Sequence, residues 1–512
     1  MSRVAGASNR CCAMGAVWTF LARLLRWALG TARSWLWPSK ATHRGQRLTA
    51  LPPLLFYVRA LDVADNRLGP SLALRPRDLV CLSRLTSLDL SRNGLKALPP
   101  ALGSCVSLTS LNLAFNSLES LPSEIGTLCL LRTLGLKSNA LRSLPPEIGD
   151  CASLVCLYLT DNRLAQLPDS LGRLQRLQKL QAASNALTSL PDALADCASL
   201  ELLRCPRNAL SSLPPRLGRA PRLAWLSFAG NPLLLASSPP SSSKQRVVPL
   251  VSEEELALGS ASLGETGTGS VGVTAAEWRR PSAAEATNGA TTRRVAYKRF
   301  AATVSPDGVP EDELASAAAV GCDCVPTILG CVRKPHAPHG SLVGMVSTVA
   351  RGSALASRPP HGECLRSAYP PPGFSLFTSA KKNGVFTDAS AVEAARRARR
   401  AAACAASALA SCHGAHVTHG DVYGHNLVVD RDTGGASLVD FGGAFFYSPS
   451  SSWDFERIEA RALGVLLSEL AAVGGGDEAL ARVADRCLVP TVADRPRFAR
   501  VVEELTALAG EA

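Results

Sequence analysis

The sequence predicts two structured parts in tandem, an α/β solenoid of short parallel strands followed by a non-repeating α+β domain. Three observations predict it. Asn93, Asn116, Asn139, Asn162, Asn185, Asn208 and Asn231 recur at a constant step of 23 residues. A Ser/Pro-rich stretch then breaks the period from residue 236 onward, as an extended linker would. Beyond it the pattern changes to isolated strand-like runs, such as 294–300, and apolar helical runs, such as 460–470.

Each asparagine closes the pattern L-x-x-L-x-L-x-x-N-x-L-x-x-L-P, as in Leu108, Leu111, Leu113, Asn116, Leu118, Leu121 and Pro122. A leucine pattern of this length is the signature of a leucine-rich repeat array. One strand per repeat points its leucines inward, and the asparagine amide bonds backbone groups of adjacent turns, so the coils stack into a solenoid. These asparagines are structural. An irregular unit at Leu61–Asn66 opens the array, and Gly230-Asn231-Pro232-Leu233 closes it. The expected repeat domain is therefore 48–235, about eight repeats. Cys105, Cys151 and Cys197 share one repeat position and serve there as small buried hydrophobes. The column Asp89, Asn112, Gly135, Tyr158, Gln181, Arg204 and Ser227 is expected to face solvent on the concave side. Such faces are usually partner sites, so an unidentified protein partner is expected there.

The second half carries His419-Gly-Asp421-Val-Tyr-Gly-His-Asn426, then Asp440-Phe441-Gly442. An Asp five residues before an Asn can do two jobs on one loop, Asp421 facing an acceptor hydroxyl and Asn426 facing a metal. Asp440 offers a second carboxylate close behind, in a short glycine turn. Upstream, Val295-Ala296-Tyr297-Lys298 lies in a strand-like run and matches the V-A-I-K strand whose Lys grips phosphates. Before that, Leu263-Gly264-Glu-Thr266-Gly267-Thr-Gly269-Ser-Val271 fits L-G-x-G-x-x-G-x-V, with Thr266 at the second Gly position. Glycine there lets the backbone close over phosphates. An acidic helix start at 309–318 offers Glu313, with Glu311 as fallback, to pair with Lys298.

Together with Asp494-Arg495-Pro496-Arg-Phe498, these motifs resemble the protein kinases over about 251–508, half of the chain. The runs H-G-D-V-Y-G-H-N, D-F-G-G-A-x-F-Y and I-E-x-R-A-L-G are similar to a divergent group of leucine-rich-repeat protein kinases. The resemblance implies a two-lobed α+β protein kinase domain at 251–510 that uses ATP and Mg²⁺. It implies catalytic roles for Asp421, Lys298 and Glu313. Nucleotide contacts would come from Gly264, Gly267, Gly269, Val271, Ala296 and Lys298, and metal ligands from Asn426 and Asp440. H-G-D-x-x-x-x-N is also found in small-molecule kinases, and a nucleotide-binding scaffold without transfer is a further alternative.

The departures from the kinase pattern are specific. Gly420 replaces the Arg of H-R-D, and Tyr423 stands where Ser/Thr kinases usually carry Lys. From Asp440 to Glu459, the acid expected to open the helix at 460–470, is only 19 residues, with no A-P-E. A reduced peptide-docking floor follows. Glu456 or Glu459 is expected to replace the missing partner of Arg495.

A net charge of +12 would suggest a nucleic-acid partner, but residues 1–60 hold nine Arg and Lys and no acid, leaving +3 for the rest. No nucleic-acid binding is expected. As a helix, residues 14–37 would gather Trp18, Leu21, Leu25 and Leu29 on one face and Arg23, Arg26 and Arg33 on the other. Interspersed arginines exclude a bilayer span. Peripheral membrane contact, an organelle transit peptide and an unstructured 1–47 all remain open. Sixteen cysteines show no disulfide or zinc spacing, and with the need for ATP this points to the cytoplasm. Arg351 to Asn383 reads as an elaborated hinge, and Arg396, Arg397, Arg399 and Arg400 as a solvated helix face. The expected whole is a protein kinase, acting on a protein Ser or Thr hydroxyl, behind repeats that recruit a substrate or regulator.

Overall fold

The computed structural model describes residues 40–510 except 53–57, 71, 73–81, 236–247, 265–269, 280–291, 301–309, 334–341, 351–352, 355–389 and 431. The basic segment 14–37, most of the linker and most of the expected hinge lie outside the described residues.

Nine three-residue strands form one parallel sheet in chain order. They are β1 Lys40–Thr42, β2 Ala60–Asp62, β3 Ser87–Asp89, β4 Ser110–Asn112, β5 Thr133–Gly135, β6 Cys156–Tyr158, β7 Lys179–Gln181, β8 Leu202–Arg204 and β9 Trp225–Ser227. Register is set by leucine: Leu88, Leu111, Leu134, Leu157, Leu180, Leu203 and Leu226 pair in one unbroken row, all buried. The asparagine ladder supplies the other restraint. Asn139 Nδ2 donates to Leu113 O and Leu136 O, both at 3.0 Å, while its Oδ1 accepts from Leu118 N at 3.0 Å. The residue before each ladder asparagine turns left-handed, with φ of 52–61° at Asp65, Arg92, Phe115, Ser138, Asp161, Ser184 and Arg207. That conformation sends its N–H to the next coil, as Phe115 N does to Lys137 O at 2.7 Å. The ladder starts at Lys40, ahead of the expected boundary at 48, because β1 pairs with β2 without the full leucine pattern.

After the linker, β10 Leu256–Gly264, β11 Ser270–Arg279, β12 Thr292–Phe300, β13 Ile328–Arg333 and β14 Leu342–Ser347 form a five-stranded sheet of order β10-β11-β12-β14-β13. Beyond α1 Pro232–Leu235, helix α2 Pro310–Ala319 precedes β13. A helical layer follows: α3 Ala391–Gly414, α4 Phe455–Val473, α5 Glu478–Leu488 and α6 Phe498–Gly510. Between α3 and α4 run short strands β16 Val417–Thr418, β17 Leu427–Val429, β18 Ala436–Leu438 and β19 Phe445–Phe446. β15 Ser353–Ala354 pairs with β17.

Three expectations are corrected. Helix α4 starts at Phe455, not at Glu459, because Asp454 caps it by accepting from Arg457 N at 3.2 Å. Neither Glu456 nor Glu459 serves Arg495. Its guanidinium is buried and donates to the carbonyls of Val489, Arg457, Pro490 and Pro221. Arg399 is not simply solvated: it bonds the Asp477 cap of α5 at 2.6 Å and the Leu508 carbonyl of α6.

The two halves share their cores. Phe445, Trp453, Phe455 and Ile458 pack into the leucine core of the solenoid, while Leu202, Ala224 and Trp225 pack into the alanine-rich core around α3 and α4.

Candidate functional site

The sequence-selected residues of the second half meet along one seam between the five-stranded sheet and the loop after β16. Lys298 sits on β12 and points to α2, whose acidic first turn suits the positive end of the helix dipole. Lys298 Nζ is ion-paired to Glu313 and donates to Asp440 Oδ1 at 2.8 Å. Both Lys298 and Glu313 are buried, whereas Glu311 is exposed. Burial alone would lower the Lys298 pKa, but the adjacent Asp440 and Glu313 carboxylates outweigh it and hold the ammonium charged. Ala296 lies on the same strand and is buried.

Asp440 has φ of +63°, uncommon for a residue with a side chain although Asp tolerates it better than most. It opens the turn Phe441–Gly443. Val439 N, just before it, donates to Asn426 O at 2.9 Å, and the Phe441 ring meets the His419 ring edge-on at 4.6 Å. In this way the Asp440 turn and the 419–426 loop are joined. Asn426 Nδ2 donates to Asp421 O at 2.8 Å, closing the loop that carries both side chains. His419 is buried, and burial pushes its pKa down against the raising pull of the nearby carboxylates. Its Nδ1 accepts from Asp421 N and its Nε2 donates to Val439 O, the pattern of a neutral ring.

Glu459 anchors this loop from α4, a role the sequence reading assigned elsewhere. Its carboxylate accepts from Gly420 N at 2.6 Å, from His419 N at 3.2 Å and from His413 Nε2 at 2.8 Å. The signal was present in the I-E-x-R-A-L-G run, but spacing alone did not say what the acid touches.

Gly264 ends β10, paired with Val273 of β11. Gly267 and Gly269 lie outside the described residues with Thr266, and Val271 is placed only as backbone in β11. Among the described residues no cluster of three or more His, Cys, Asp or Glu side chains would hold a metal alone. None of the described helices is long and apolar enough to cross a membrane.

Four residues of the column expected to face solvent, Asn112, Gly135, Arg204 and Ser227, are buried instead; the last two lie against the second half of the chain. Arg204 and Ser227 are at 6% and 0% exposure, on the strands β8 and β9 against which the 420–423 loop packs through Arg204, Trp225 and Leu226. Arg204 Nη2 donates to Asp421 Oδ1 at 2.5 Å. Trp225, missed because it falls outside the chosen column, donates its indole N–H to Val422 O at 3.0 Å and stacks on Tyr423 with ring centroids 4.8 Å apart. A cavity of about 450 Å³ opens at the other end of this seam, between Gly218–Pro221 and Thr491–Ala493.

Residues 123–228 match the family described as leucine-rich repeat region, and residues 83–123 match leucine rich repeats in two copies. No curated relative matches the chain. Among solved structures, a leucine-rich-repeat protein of Leptospira interrogans is similar at 31% identity, over 37% of this chain and 54% of that one, with a TM-score of 0.33. The chain thus spans about half the length of that protein. Family matches from 83 to 228 and a nine-stranded parallel ladder together make the N-terminal region a leucine-rich repeat solenoid.

Proposed function

We propose that the C-terminal half is an ATP-dependent protein kinase, transferring the γ-phosphate to a protein hydroxyl, with Ser or Thr as the first candidates. One observation carries this reading: a buried lysine held between Glu313 and Asp440, with Asp440 joined through Val439 to the loop bearing Asp421 and Asn426.

The donor set fits the implied metal. The Asp440 carboxylate and the Asn426 amide oxygen are hard donors, and Mg²⁺ is commonly held by one or two protein oxygens with phosphates and water completing its shell. Bound Mg·ATP supplies the phosphoryl group and neutralises its charge. The chain does the rest by positioning. Lys298, kept charged and aimed by Glu313, binds phosphate oxygens. Gly264, Gly267, Gly269 and Val271 belong to the loop assigned to cover them, and Ala296 to the strand beneath the nucleotide. Asp421 orients the acceptor hydroxyl and takes its proton on a carboxylate oxygen. We assign this activity to the cytoplasm, where ATP is available, and a protein partner to the part of the concave face carrying Asp89, Tyr158 and Gln181.

Calorimetric titration with Mg·ATP and transfer of ³²P to a mixed protein substrate test the reading. Lys298→Met and Asp440→Ala should each weaken Mg·ATP binding at least tenfold, and Asp421→Ala should lower transfer by several orders of magnitude. Equal nucleotide affinity in wild type and Asp440→Ala would remove the metal role. The scaffold alternative is favoured by the Arg204–Asp421 pair, and transfer to a metabolite panel would instead support a small-molecule acceptor.

A further inference from the structure

The carboxylate assigned to meet an acceptor hydroxyl already has a partner. Arg204 and Asp421 come from opposite halves of the chain, and their side chains are only 7% and 8% exposed. Their 2.5 Å contact uses an oxygen that the acceptor would need and neutralises its charge. At 8% exposure that carboxylate is also screened from any polypeptide.

The surrounding contacts turn this pair into a cap. Trp225 covers Tyr423 face to face, with planes 10° apart, and bonds Val422 O. Gly420 has φ of +72°, and a Cβ there would overlap the Leu226 carbonyl oxygen, so the solenoid backbone itself sits against the loop. On one flank Phe228 meets Phe445 and Trp453 edge-on, at 5.7 and 5.8 Å. Trp453 bonds Pro214 O, and Arg495 bonds Pro221 O at 2.6 Å. On the other flank the Gly230 backbone N–H meets the Asp312 carboxylate, beside Glu313 on α2. The Lys298–Glu313–Asp440 cluster is nevertheless fully assembled. The cap closes over Asp421 and leaves the Lys298–Glu313–Asp440 contacts in place.

We infer that, on the kinase reading above, this is an autoinhibited state in which the last two repeats of the solenoid cap Asp421. Activation is the separation of β8 and β9 from loop 420–423. Removing one member of a buried ion pair strongly weakens the contact holding it, because the other charge is left uncompensated, so Arg204 is the sensitive point of the seam.

The test uses the full chain as wild type, Arg204→Ala and Trp225→Ala, with Asp421→Asn added to each variant. Initial ³²P transfer from Mg·ATP to a mixed protein substrate is read beside the Mg·ATP dissociation constant. Hydrogen exchange of the 417–427 backbone shows that each variant is folded and whether the loop is uncovered. The expected result is transfer at least tenfold faster in Arg204→Ala and Trp225→Ala. Nucleotide affinity should stay within twofold of wild type, exchange at 417–427 should be faster, and Asp421→Asn should abolish the gain. If Trp225→Ala unfolds the solenoid, Arg204→Ala decides alone. Slower transfer in Arg204→Ala at unchanged nucleotide affinity overturns the inference, since Arg204 would then assist the reaction. Equal measurable transfer in all three overturns it and leaves the kinase reading intact. No transfer from any variant that still binds Mg·ATP refutes the kinase reading itself, and the inference with it.

Discussion

Replacing Gly420 by alanine tests how tightly the two halves of the chain are fitted. Gly420 occupies the left-handed region at φ of +72°, where a Cβ would overlap the Leu226 carbonyl oxygen and come within 2.5 Å of the Gly443 carbonyl oxygen. The backbone penalty alone is about 1–2 kcal/mol. Forcing a methyl into a closed contact adds about 1–3 kcal/mol, so the sum is roughly 2–5 kcal/mol. Gly475 is the control, since it has φ of +86° and nothing within 4 Å of a new Cβ; Gly475→Ala should cost only the backbone part. The readout is the opening free energy of the 417–427 amides by hydrogen exchange, in which every ~1.4 kcal/mol is a tenfold change in rate. Both Gly420→Ala and its control are measured against wild type. If the two substitutions speed exchange in their own neighbourhoods equally, the carbonyls around Gly420 are not where the seam places them. The same result would remove the explanation of why glycine stands where H-R-D kinases carry arginine.

Three other outcomes follow from the geometry. Burial alone would raise the Glu459 pKa, but His413, His419 and the Gly420 N–H outweigh it, so the net value is lowered from 4.5. A carboxylate with a depressed folded value stabilises fully above its unfolded pKa and loses that contribution as pH falls through the folded one. Melting temperature should therefore fall below about pH 4.5 in wild type, and Glu459→Gln should cost about 1.5–3 kcal/mol near pH 7 and less in acid; a pH-independent loss would contradict this. Cys322 and Cys404 are both brought down to about 6, first by hydrogen bonding with Cys324, whereas burial pushes Cys105, Cys151 and Cys197 up to about 12. Iodoacetamide at pH 7 should label Cys322 or Cys404 before Cys105, Cys151 and Cys197 by peptide mass mapping, and earlier labelling of any of those three buried cysteines would refute the assignment. Asn162→Ala leaves Leu141 N without its partner, while Leu136 O and Leu159 O keep Asn139 and Asn185 as amide donors. At about 1–3 kcal/mol for one buried group left unsatisfied, solenoid unfolding in urea should shift by about that amount, and a shift under about 1 kcal/mol would count against the ladder.

The solenoid was legible because its physics is local and repeated: one leucine row and one asparagine per coil determine strand, turn and stacking. The pairing of Lys298 with Glu313 was legible only through the resemblance to protein kinases, in which a strand lysine pairs with a glutamate of the following helix, and the structure contains that pair. What spacing could not reveal was the contact of Arg204 with Asp421, 217 positions apart in sequence. Arg204 has the exposure pattern of an outward strand residue, and only tertiary packing makes it a buried one. The same holds for Glu459, which read as a helix opener because its neighbours are apolar. In the fold it is the acceptor for two loop N–H groups and a histidine.

The short chain between Asp440 and α4 explains why a solenoid can occupy this place. Here that chain runs from the Asp440 turn through β19 to the Asp454 cap and carries Phe445 and Trp453 on the way, and these apolar rings, with Tyr423, need a partner. Trp225 and Phe228 supply it. The linker between Leu235 and Val248 is short, and tethering of that kind raises the effective concentration of the two faces to the millimolar range, so a seam too weak for two separate molecules would still close in one chain. The short segment and the last two repeats thus meet along one apolar surface, in which the rings of Tyr423, Phe445 and Trp453 are covered by Trp225 and Phe228.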